Sequence, residues 1–339
     1  MTTRSEIRAA RTAHADPRRT TRPLVSVCIV NWNCRDLLYA CLRSLTAVLQ
    51  EVPLEVIVVD NASTDGAFEM VRAEFPEVLL VRNETNAGFA AACNQAGRLG
   101  RGRFLFFLNN DTVVPPGTLA RLCAFARANP RAGLIGPRLR GPGGRVQSSA
   151  RRCPTVAALL HRLTLLRWTG LFRKAYREYR GRDVADRAAG PVEVLMGAAV
   201  LIPQRLFRRL GGWDESFAFG GEDIDLCARV WQSHEVVYYP AVEVVHHGRG
   251  SSRLRPGPAH ADTVVGITRC LRQSGTRWWA RAAYKLLYTL DAPLSLLVEA
   301  GRYVTARLRG KPRQAERAAL RVRGMTYFLT RRLFSFWLA

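Results

Sequence analysis

The sequence has very little lysine, no paired-cysteine motif and no long apolar run. The net charge is +24, and it comes almost entirely from arginine, because the only lysines are Lys174, Lys285 and Lys311. The longest stretch without a charged residue, 85–97, has 13 residues, whereas a helix needs about 20 apolar residues to cross a bilayer. We therefore expect no membrane-spanning helix. Because no apolar h-region lies near the start, we also expect no signal peptide.

Two kinds of binding motif are also missing. The eight cysteines show no C-x-x-C pair and no zinc-like spacing to histidine, so we expect reduced thiols, mostly in the core. Neither G-x-G-x-x-G after a strand nor G-x-x-x-x-G-K-S/T occurs. If this chain binds a nucleotide diphosphate, the phosphates must therefore be bound by something other than a glycine-rich loop, such as a metal ion.

The positive charge is concentrated in three segments. Basic residues outnumber acidic ones by 6 to 2 in residues 1–23, by 11 to 3 in 145–187 and by 17 to 4 in 253–339, whereas the remainder carries 17 basic and 18 acidic residues. Basic appendages on a neutral body suit nucleic acid or an anionic membrane surface. No nucleic-acid-binding motif is recognisable, so the membrane surface is favoured and we expect no nucleic-acid partner. An arginine-rich nucleic-acid-binding protein is the alternative from another functional class.

Apolar runs that end in small polar residues predict an α/β fold. Strands are expected at 24–30, 54–59, 78–81 and from 104, each followed by polar turn residues and a helical pattern. Five consecutive apolar residues from Phe104 predict a central strand, buried on both faces of a mostly parallel sheet. Ligands bind such sheets at the carboxyl ends of the strands.

The chain then divides into three predicted regions. Residues 1–23 form a disordered basic arm, 24–252 a catalytic domain and 253–339 a basic helical region. In the catalytic domain, Asn109, Asn110 and Asp111 follow the central strand. Asp111 can bind Mg²⁺, which in turn can hold a diphosphate; the alternative is a polar turn that caps the next helix.

Seven motifs in order resemble a known family. They are Val25-Ser-Val-Cys-Ile-Val-Asn-Trp-Asn, Val59-Asp-Asn-Ala-Ser-Thr-Asp-Gly, Asn86-Ala-Gly-Phe-Ala, Leu108-Asn-Asn-Asp-Thr, Gly211-Gly-Trp-Asp-Glu, Gly221-Glu-Asp-Ile-Asp-Leu and His246-His-Gly-Arg-Gly-Ser. Together they resemble family 2 of the inverting glycosyltransferases, most closely its bacterial rhamnosyltransferase-type branch. The resemblance implies a GT-A fold, a nucleotide-diphosphate-sugar donor, Mg²⁺ or Mn²⁺, and transfer with inversion.

The resemblance also implies roles for particular residues. Asp223 falls on the catalytic base, Asp111 on the last position of the metal-binding D-x-D motif and His246 on a further metal ligand. Donor-binding positions are Asn31, Asn33, Asp60, Asn86, Gly88, Asn109 and Asn110, and acceptor-binding positions are Trp213, Asp214 and Glu222. The chain departs from the family where Asn109 and Asn110 stand in the D-x-D motif, because neutral amides bind a metal more weakly.

The same residues have simpler interpretations. Glu222, Asp223 and Asp225 could serve only to cap a helix against its dipole, and His246 could be a satisfied histidine at a strand end. Trp213 could belong to the core. The glycines before it and Asp214 after it instead predict an exposed loop, in which the indole can stack on a sugar.

The region after residue 253 has a helical pattern with two faces. Trp278, Trp279, Ala283, Leu286, Leu287, Leu290, Leu294 and Leu297 recur on one side, and Arg281, Lys285, Thr289 and Ser295 on the other. A bend is expected near Pro293. We expect this helix and the aromatic tail from Met325 to bind the membrane interface; the alternative is that they pack on the catalytic domain.

The predicted function is transfer of a sugar to a lipid-linked saccharide in cell-wall or surface-polysaccharide synthesis, on the cytoplasmic, inner face of the cell membrane. The branch suggests dTDP-L-rhamnose as donor. UDP-galactofuranose, UDP-glucose, UDP-galactose and UDP-GlcNAc are alternatives. A nucleotidyltransferase on a similar sheet is a further alternative, but it would need a glycine-rich phosphate loop where this chain has Asn31, Trp32 and Asn33.

Overall fold

A computed structural model describes residues 22–48, 50–181, 188–248 and 256–339. Most of the predicted basic arm and the predicted boundary at 252 lie outside these ranges. The described residues form two compact units. One unit comprises those of 1–150, 183–216 and 226–251, and the other those of 151–182, 217–225 and 252–339. The division of the chain into an arm, a catalytic domain and a membrane region stays a prediction.

The strands and helices alternate through the first two thirds of the chain, and helices follow. The strands are β1 Val25–Asn31, β2 Leu54–Asp60, β3 Leu79–Arg82, β4 Phe104–Asn109, β5 Thr112–Val113, β6 Ala132–Arg140, β7 Ala150–Arg151, β8 Gly190–Pro191, β9 Val194–Leu195, β10 Ala199–Pro203 and β11 Glu235–His246. The helices are α1 Arg35–Val48, α2 Ala67–Glu74, α3 Phe89–Leu99, α4 Thr118–Ala128, α5 Val156–Leu163, α6 Arg173–Tyr179, α7 Gln204–Arg209, α8 Glu222–Trp231, α9 Pro256–Gln273, α10 Trp278–Leu308, α11 Pro312–Tyr327 and α12 Leu333–Leu338.

The first unit is built on a nine-stranded mixed sheet. Its order is β3-β2-β1-β4-β10-β6-β11-β5, with β8 paired to β11. Strands β3, β2, β1 and β4 are parallel, whereas β10 runs antiparallel to β4 and to β6. The predicted α/β class is confirmed.

Strand β4 lies in the middle of this sheet, as its apolar run predicts. Phe106 and Phe107 point to opposite faces and are both fully buried, which requires cover on both sides of the sheet. The buried sides of α1 and α4 form one core with the strands, contributing Leu38, Leu42 and Leu122. The register of β1 with β2 and β4 aligns their carboxyl ends, so their polar end residues meet at one edge.

The second unit is helical and has an aromatic core. Tyr284 and Tyr288 of α10 pack against Phe336, and Tyr288 also packs against Phe328, with ring centroids 5.0–5.9 Å apart. Among the described helices, none combines the length and hydropathy needed to cross a membrane.

Helix α10 presents its apolar side outward. Leu290, Leu294 and Leu297 are exposed, whereas Lys285 and Ser295 are buried. The prediction identified the two faces, but the face with Lys285 and Ser295 turned out to be the packed one.

All eight cysteines are free thiols, and seven of them are buried. The buried positions agree with the expected core placement, and the reduced state stays a prediction.

Candidate active site

The carboxyl ends of β1, β2 and β4 are joined by one polar network. Asn31 ends β1 and donates from Nδ2 to Asp60 Oδ1 at 3.2 Å and to Ser63 Oγ at 3.1 Å. Its Oδ1 accepts from Asn110 Nδ2 at 2.7 Å. All four side chains are buried, so unpaired polar groups here would be costly. The structure thus brings three predicted donor-site residues together as a connected support.

The loop after β2 is organised by Asp60 and Asn33. Asp60 Oδ2 accepts from the Ser63 backbone N–H at 2.9 Å, which closes a tight turn. Asn33, which adopts a left-handed conformation, accepts from the Thr64 backbone N–H at 2.7 Å. Asp60 is buried, so in this structure its carboxylate shapes the loop. A direct contact with the nucleotide stays a prediction.

A second loop carries Asn86 and Gly88. Asn86 Oδ1 accepts from the Gly88 backbone N–H at 3.0 Å, and Gly88 has a φ of 87°, a conformation that favours glycine. Asn61 fastens this loop, because its Oδ1 accepts from Ala87 N–H and its Nδ2 donates to Gly88 O. Asn61 and Ser63 were missed as site-building residues, although both stand inside the quoted Asp60 motif.

Asp111 and His246 meet at the other side of this edge, although 135 positions separate them in the sequence. The pairing of His246 with Thr112 in the β5–β11 ladder places them together. Asp111 Oδ1 lies 3.4 Å from His246 Nε2, and both side chains are largely buried. The Asp111 carbonyl also accepts from the His247 backbone N–H at 2.9 Å. Of the two histidines, His246 therefore faces the carboxylate, as predicted.

These two side chains fit a divalent metal. Carboxylate oxygen and imidazole nitrogen are ligand types that Mn²⁺ accepts, and adjacent ligands of an octahedral ion of this size lie about 3 Å apart. No group of three or more histidine, cysteine or acidic side chains suited to a metal occurs within the described part of the chain. Asp111 and His246 are thus two candidate ligands rather than a complete set.

Glu222 and Asp223 open α8 in the second unit. Asp223 Oδ2 accepts from Arg151 at 2.8 Å, and its Oδ1 accepts from the Ile224 backbone N–H. The Glu222 Oε2 atom is buried without a hydrogen-bond partner among the described residues. Burial, together with the neighbouring Asp223 carboxylate, raises the pKa of Glu222 to about 8. The Glu222 carboxyl group therefore holds its proton more strongly than an ordinary carboxyl group does, while its neighbour is paired with a guanidinium.

Arg151 was missed as a site residue. It stands in the arginine-rich segment 145–187, where composition gives no means of separating one arginine from the others. Asp225 has a different surrounding from Asp223, because it is buried and accepts from Gln273 of α9 at 2.6 Å. That contact favours a structural role for Asp225.

Two glycines bring the start of α8 close to α9. Gly220 and Gly221 have φ values of 78° and 103°. Gly266 of α9 packs against them so closely that a Cβ atom there would lie 1.8 Å from the Gly220 carbonyl oxygen. This contact fixes the backbone that carries Glu222 and Asp223.

Trp213 does not lie in an exposed loop, and that prediction is wrong. Its side chain is 2% exposed and packs edge-on against Phe89 and Phe107. Asn94 holds the backbone, accepting from Trp213 N–H and donating to Trp213 O, each at 2.8 Å. Trp213 is thus a core residue and cannot stack on an acceptor in this conformation. Asp214 accepts from the Ser216 backbone N–H and so caps a turn.

Comparison with known proteins agrees with this architecture. A mannosyltransferase from Pyrobaculum calidifontis, solved in complex with GDP-Man and Mn²⁺, superimposes with a TM-score of 0.52 at 19% identity, over 96% of this chain and 94% of that chain. This likeness shows the GT-A fold. A family model for glycosyl transferase family 2 matches residues 26–190.

Two curated relatives are informative. N-acetylglucosaminyl-diphospho-decaprenol L-rhamnosyltransferase of Mycobacterium tuberculosis is 32% identical over 267 residues, which cover 73% of this chain and 82% of that protein. UDP-Glc:alpha-D-GlcNAc-diphosphoundecaprenol beta-1,3-glucosyltransferase of Escherichia coli is 30% identical over 89 residues, or 26% of this chain and 35% of that protein. The identity to the first relative over most of its length shows that this chain is a glycosyltransferase of family 2.

Proposed function

We propose that the enzyme transfers L-rhamnose from dTDP-L-rhamnose to a hydroxyl group of a lipid-linked saccharide in cell-wall or surface-polysaccharide synthesis. The observation that carries the donor half of this proposal is the Asp111–His246 pair at the carboxyl edge of the sheet. The sugar and the acceptor are suggested by the mycobacterial relative, whose name specifies rhamnosyl transfer to a GlcNAc-diphospho-lipid.

At the donor end, Asp111 and His246 would hold Mg²⁺ or Mn²⁺. A bound divalent ion would neutralise charge that develops on the departing diphosphate. The network of Asn31, Asp60 and Asn110 supports the loops that surround the nucleotide. Asn110 takes part in this network by donating from Nδ2 to Asn31 Oδ1.

At the acceptor end, Asp223 would act as the general base. The acceptor hydroxyl oxygen forms a bond to the anomeric carbon on the face opposite the diphosphate, and its proton passes to the Asp223 carboxylate. The bond from the anomeric carbon to the diphosphate oxygen breaks, and its electron pair leaves with the nucleotide. Arg151, 2.8 Å from Asp223, fixes the orientation of this carboxylate.

Glu222 would bind the acceptor as a neutral acid. A protonated carboxyl group can donate a hydrogen bond to a sugar oxygen, which an ionised one cannot. The raised pKa of Glu222, caused by burial and by Asp223, keeps that proton in place at neutral pH. The adjacent acids would then have separate tasks, one donating a hydrogen bond and the other accepting a proton.

The second unit would bind the anionic inner face of the cell membrane through α10. Leu290, Leu297 and Leu308 of this helix are 62%, 70% and 84% exposed, which is unusual for a surface in contact with water only. On the opposite side, Glu299 is buried and paired with Arg167 and Arg321 at 2.8 Å each.

A helix with its polar side buried and its apolar side exposed suits the membrane interface, where the apolar face enters the lipid. Trp278 and Trp279 at one end and Arg307 and Arg309 at the other end are exposed, and these residue types favour the headgroup region. The predicted role of Lys285 in lipid binding is wrong, because its Nζ is buried and donates to the backbone oxygens of Trp337 and Ala339, each at 2.9 Å.

A donor-binding screen tests the choice of sugar nucleotide. The purified full-length chain is titrated with dTDP-L-rhamnose and with UDP-glucose, each with and without Mn²⁺, by calorimetry. We expect metal-dependent binding with a preference for dTDP-L-rhamnose. A preference for UDP-glucose would instead favour the second candidate, a UDP-sugar transferase, for which the Escherichia coli relative is the supporting observation.

A further inference from the structure

Gln147, in the 145–187 segment, contacts the candidate metal ligand His246. Its Oε1 lies 2.8 Å from His246 Nδ1, and its Nε2 donates to the His246 backbone carbonyl at 2.6 Å. The same glutamine therefore holds both the ring and the backbone of His246. We propose that Gln147 is a positioning residue, which fixes the tautomer and orientation of His246 for metal binding; this rests on the proposed function.

The polarity of the two hydrogen bonds follows from the chemistry of the groups. A backbone carbonyl can only accept, so the amide group of Gln147 facing it is the NH₂ group. The amide oxygen must then face His246 Nδ1, which consequently carries the hydrogen. In the neutral ring the other nitrogen, Nε2, has a free electron pair.

That electron pair lies on the side of the ring that faces Asp111. His246 Nε2 lies 3.4 Å from Asp111 Oδ1, a separation at which both atoms can bind one divalent cation. Metal-ligating histidines characteristically donate their second N–H to an oxygen acceptor, which orients the ring and makes it a better ligand.

The chain builds a hairpin that returns Gln147 to this position. Gly144, with a φ of 76°, ends a turn after β6, and Val146 pairs with Arg140 across it. The Gln147 backbone N–H then donates to Leu139 O at 2.8 Å. Because β6 lies beside β11 in the sheet, this hairpin brings Gln147 to the end of β11, where His246 stands.

The test compares Gln147→Leu and Gln147→Glu with wild type in the full-length protein. The tautomer of His246 is read by NMR of ¹⁵N-histidine-labelled protein, assigned with a His246→Ala variant, and Mn²⁺ affinity by electron paramagnetic resonance. Gln204→Leu is the matched control, because Gln204 also bonds a backbone carbonyl but lies beside Gly100, at the amino-terminal end of β4.

We expect Gln147→Leu to change the His246 tautomer equilibrium and to weaken Mn²⁺ binding by about 10- to 100-fold. Gln147→Glu keeps an oxygen acceptor for Nδ1–H but loses the donor to the His246 carbonyl, so it should retain the tautomer and bind Mn²⁺ more tightly than Gln147→Leu does. Gln204→Leu should match wild type. The inference is overturned if wild type binds Mn²⁺ and Gln147→Leu has an unchanged tautomer and affinity. If wild type binds no Mn²⁺, the proposed metal site fails as well.

Discussion

At the scale of single residues, the two acids at the start of α8 have different surroundings, which suits the distinct tasks that we propose for them. Burial and the neighbouring Asp223 carboxylate raise the pKa of Glu222, and Asp223 is paired with Arg151. Helix capping alone would not require the Arg151 contact. Of the contacts described for the Asp223 side chain, only the one from Oδ1 to the Ile224 backbone N–H is of the capping type. The pair is therefore better suited to acid–base work on an acceptor.

Substitution of the proposed base should separate binding from turnover. Asp223→Asn keeps the shape of the side chain but cannot accept the acceptor proton, so we expect turnover to fall by about 100-fold or more. Donor affinity should remain within about threefold by calorimetry. Asp36→Asn is the control, because Asp36 is likewise an aspartate in the first turn of a helix, α1, but is exposed and is no candidate site residue. If Asp223→Asn retains more than about a tenth of wild-type turnover, Asp223 is not the base.

The metal pair gives a second prediction at this scale. Asp111→Ala removes the carboxylate ligand, so calorimetry with dTDP should show that Mn²⁺ no longer strengthens nucleotide binding. His246→Ala should weaken the metal effect less, since a neutral ligand contributes less charge. His247→Ala is the neighbouring control and should behave as wild type. An undiminished metal effect in Asp111→Ala would contradict the assignment.

Glu222 predicts a pH dependence of stability. Its pKa is raised from 4.5 to about 8, so between these values the folded chain keeps a proton that the unfolded chain has released. This contribution to stability is therefore lost as pH rises, by at most about 1.4 kcal/mol per pH unit. Glu222→Gln cannot ionise, and its stability relative to wild type should increase from pH 5 to pH 8 in denaturant titrations. A constant difference across this range would refute the raised pKa.

Among the elements, α10 shows most clearly what a sequence pattern determines. The spacing of leucines predicted two faces correctly, because helical periodicity depends only on the local chain. Which face is packed depends on partners far away in sequence. On the polar side, Glu299 pairs with Arg167 and Arg321, and Lys285 donates to the backbone oxygen of Ala339. The leucines therefore face outward.

The exposed face should bind anionic lipid. We expect the combined change Leu290→Ser, Leu294→Ser and Leu297→Ser to abolish most flotation with phosphatidylglycerol-containing liposomes, because it removes apolar area from the interface. Binding by wild type should weaken but persist as salt rises. The charge-neutral control, Glu316→Ser with Arg317→Ser, alters two exposed residues of the same unit. Equal flotation of the leucine variant and wild type would show that this face does not contact lipid.

More of the sheet than of the candidate site could be predicted from the sequence. Apolar runs ending in polar residues located β1, β2 and β4, because each run is long enough to define a buried strand. Trp213 was misjudged because two preceding glycines usually mark an exposed turn. Gly212 instead permits a φ of 83° and a close approach of Asn94, a long-range contact that no local pattern contains. Gln147 and Arg151 could not be predicted as site residues, because their contacts are also with residues far away in the sequence.

At the scale of the whole molecule, the family and the fold are established. The reaction that we propose for this enzyme requires a nucleotide-sugar donor and a lipid-linked acceptor. The sheet unit supplies the candidate metal pair, and the helical unit supplies the acid pair and the exposed apolar helix. Each unit thus carries candidate site residues that the other lacks among the described residues. This distribution makes full-length protein the appropriate material for every assay.

The most direct measurement is transfer itself. Full-length protein is incubated with dTDP-L-rhamnose, Mn²⁺ and a GlcNAc-diphospho-polyprenol acceptor, and the lipid product is analysed by mass spectrometry and NMR. We predict the gain of one deoxyhexose, joined with the anomeric configuration opposite to that of the donor, and its loss when the metal is chelated. Retention of the donor configuration, or no transfer from either dTDP- or UDP-sugars in the presence of metal, would contradict the account.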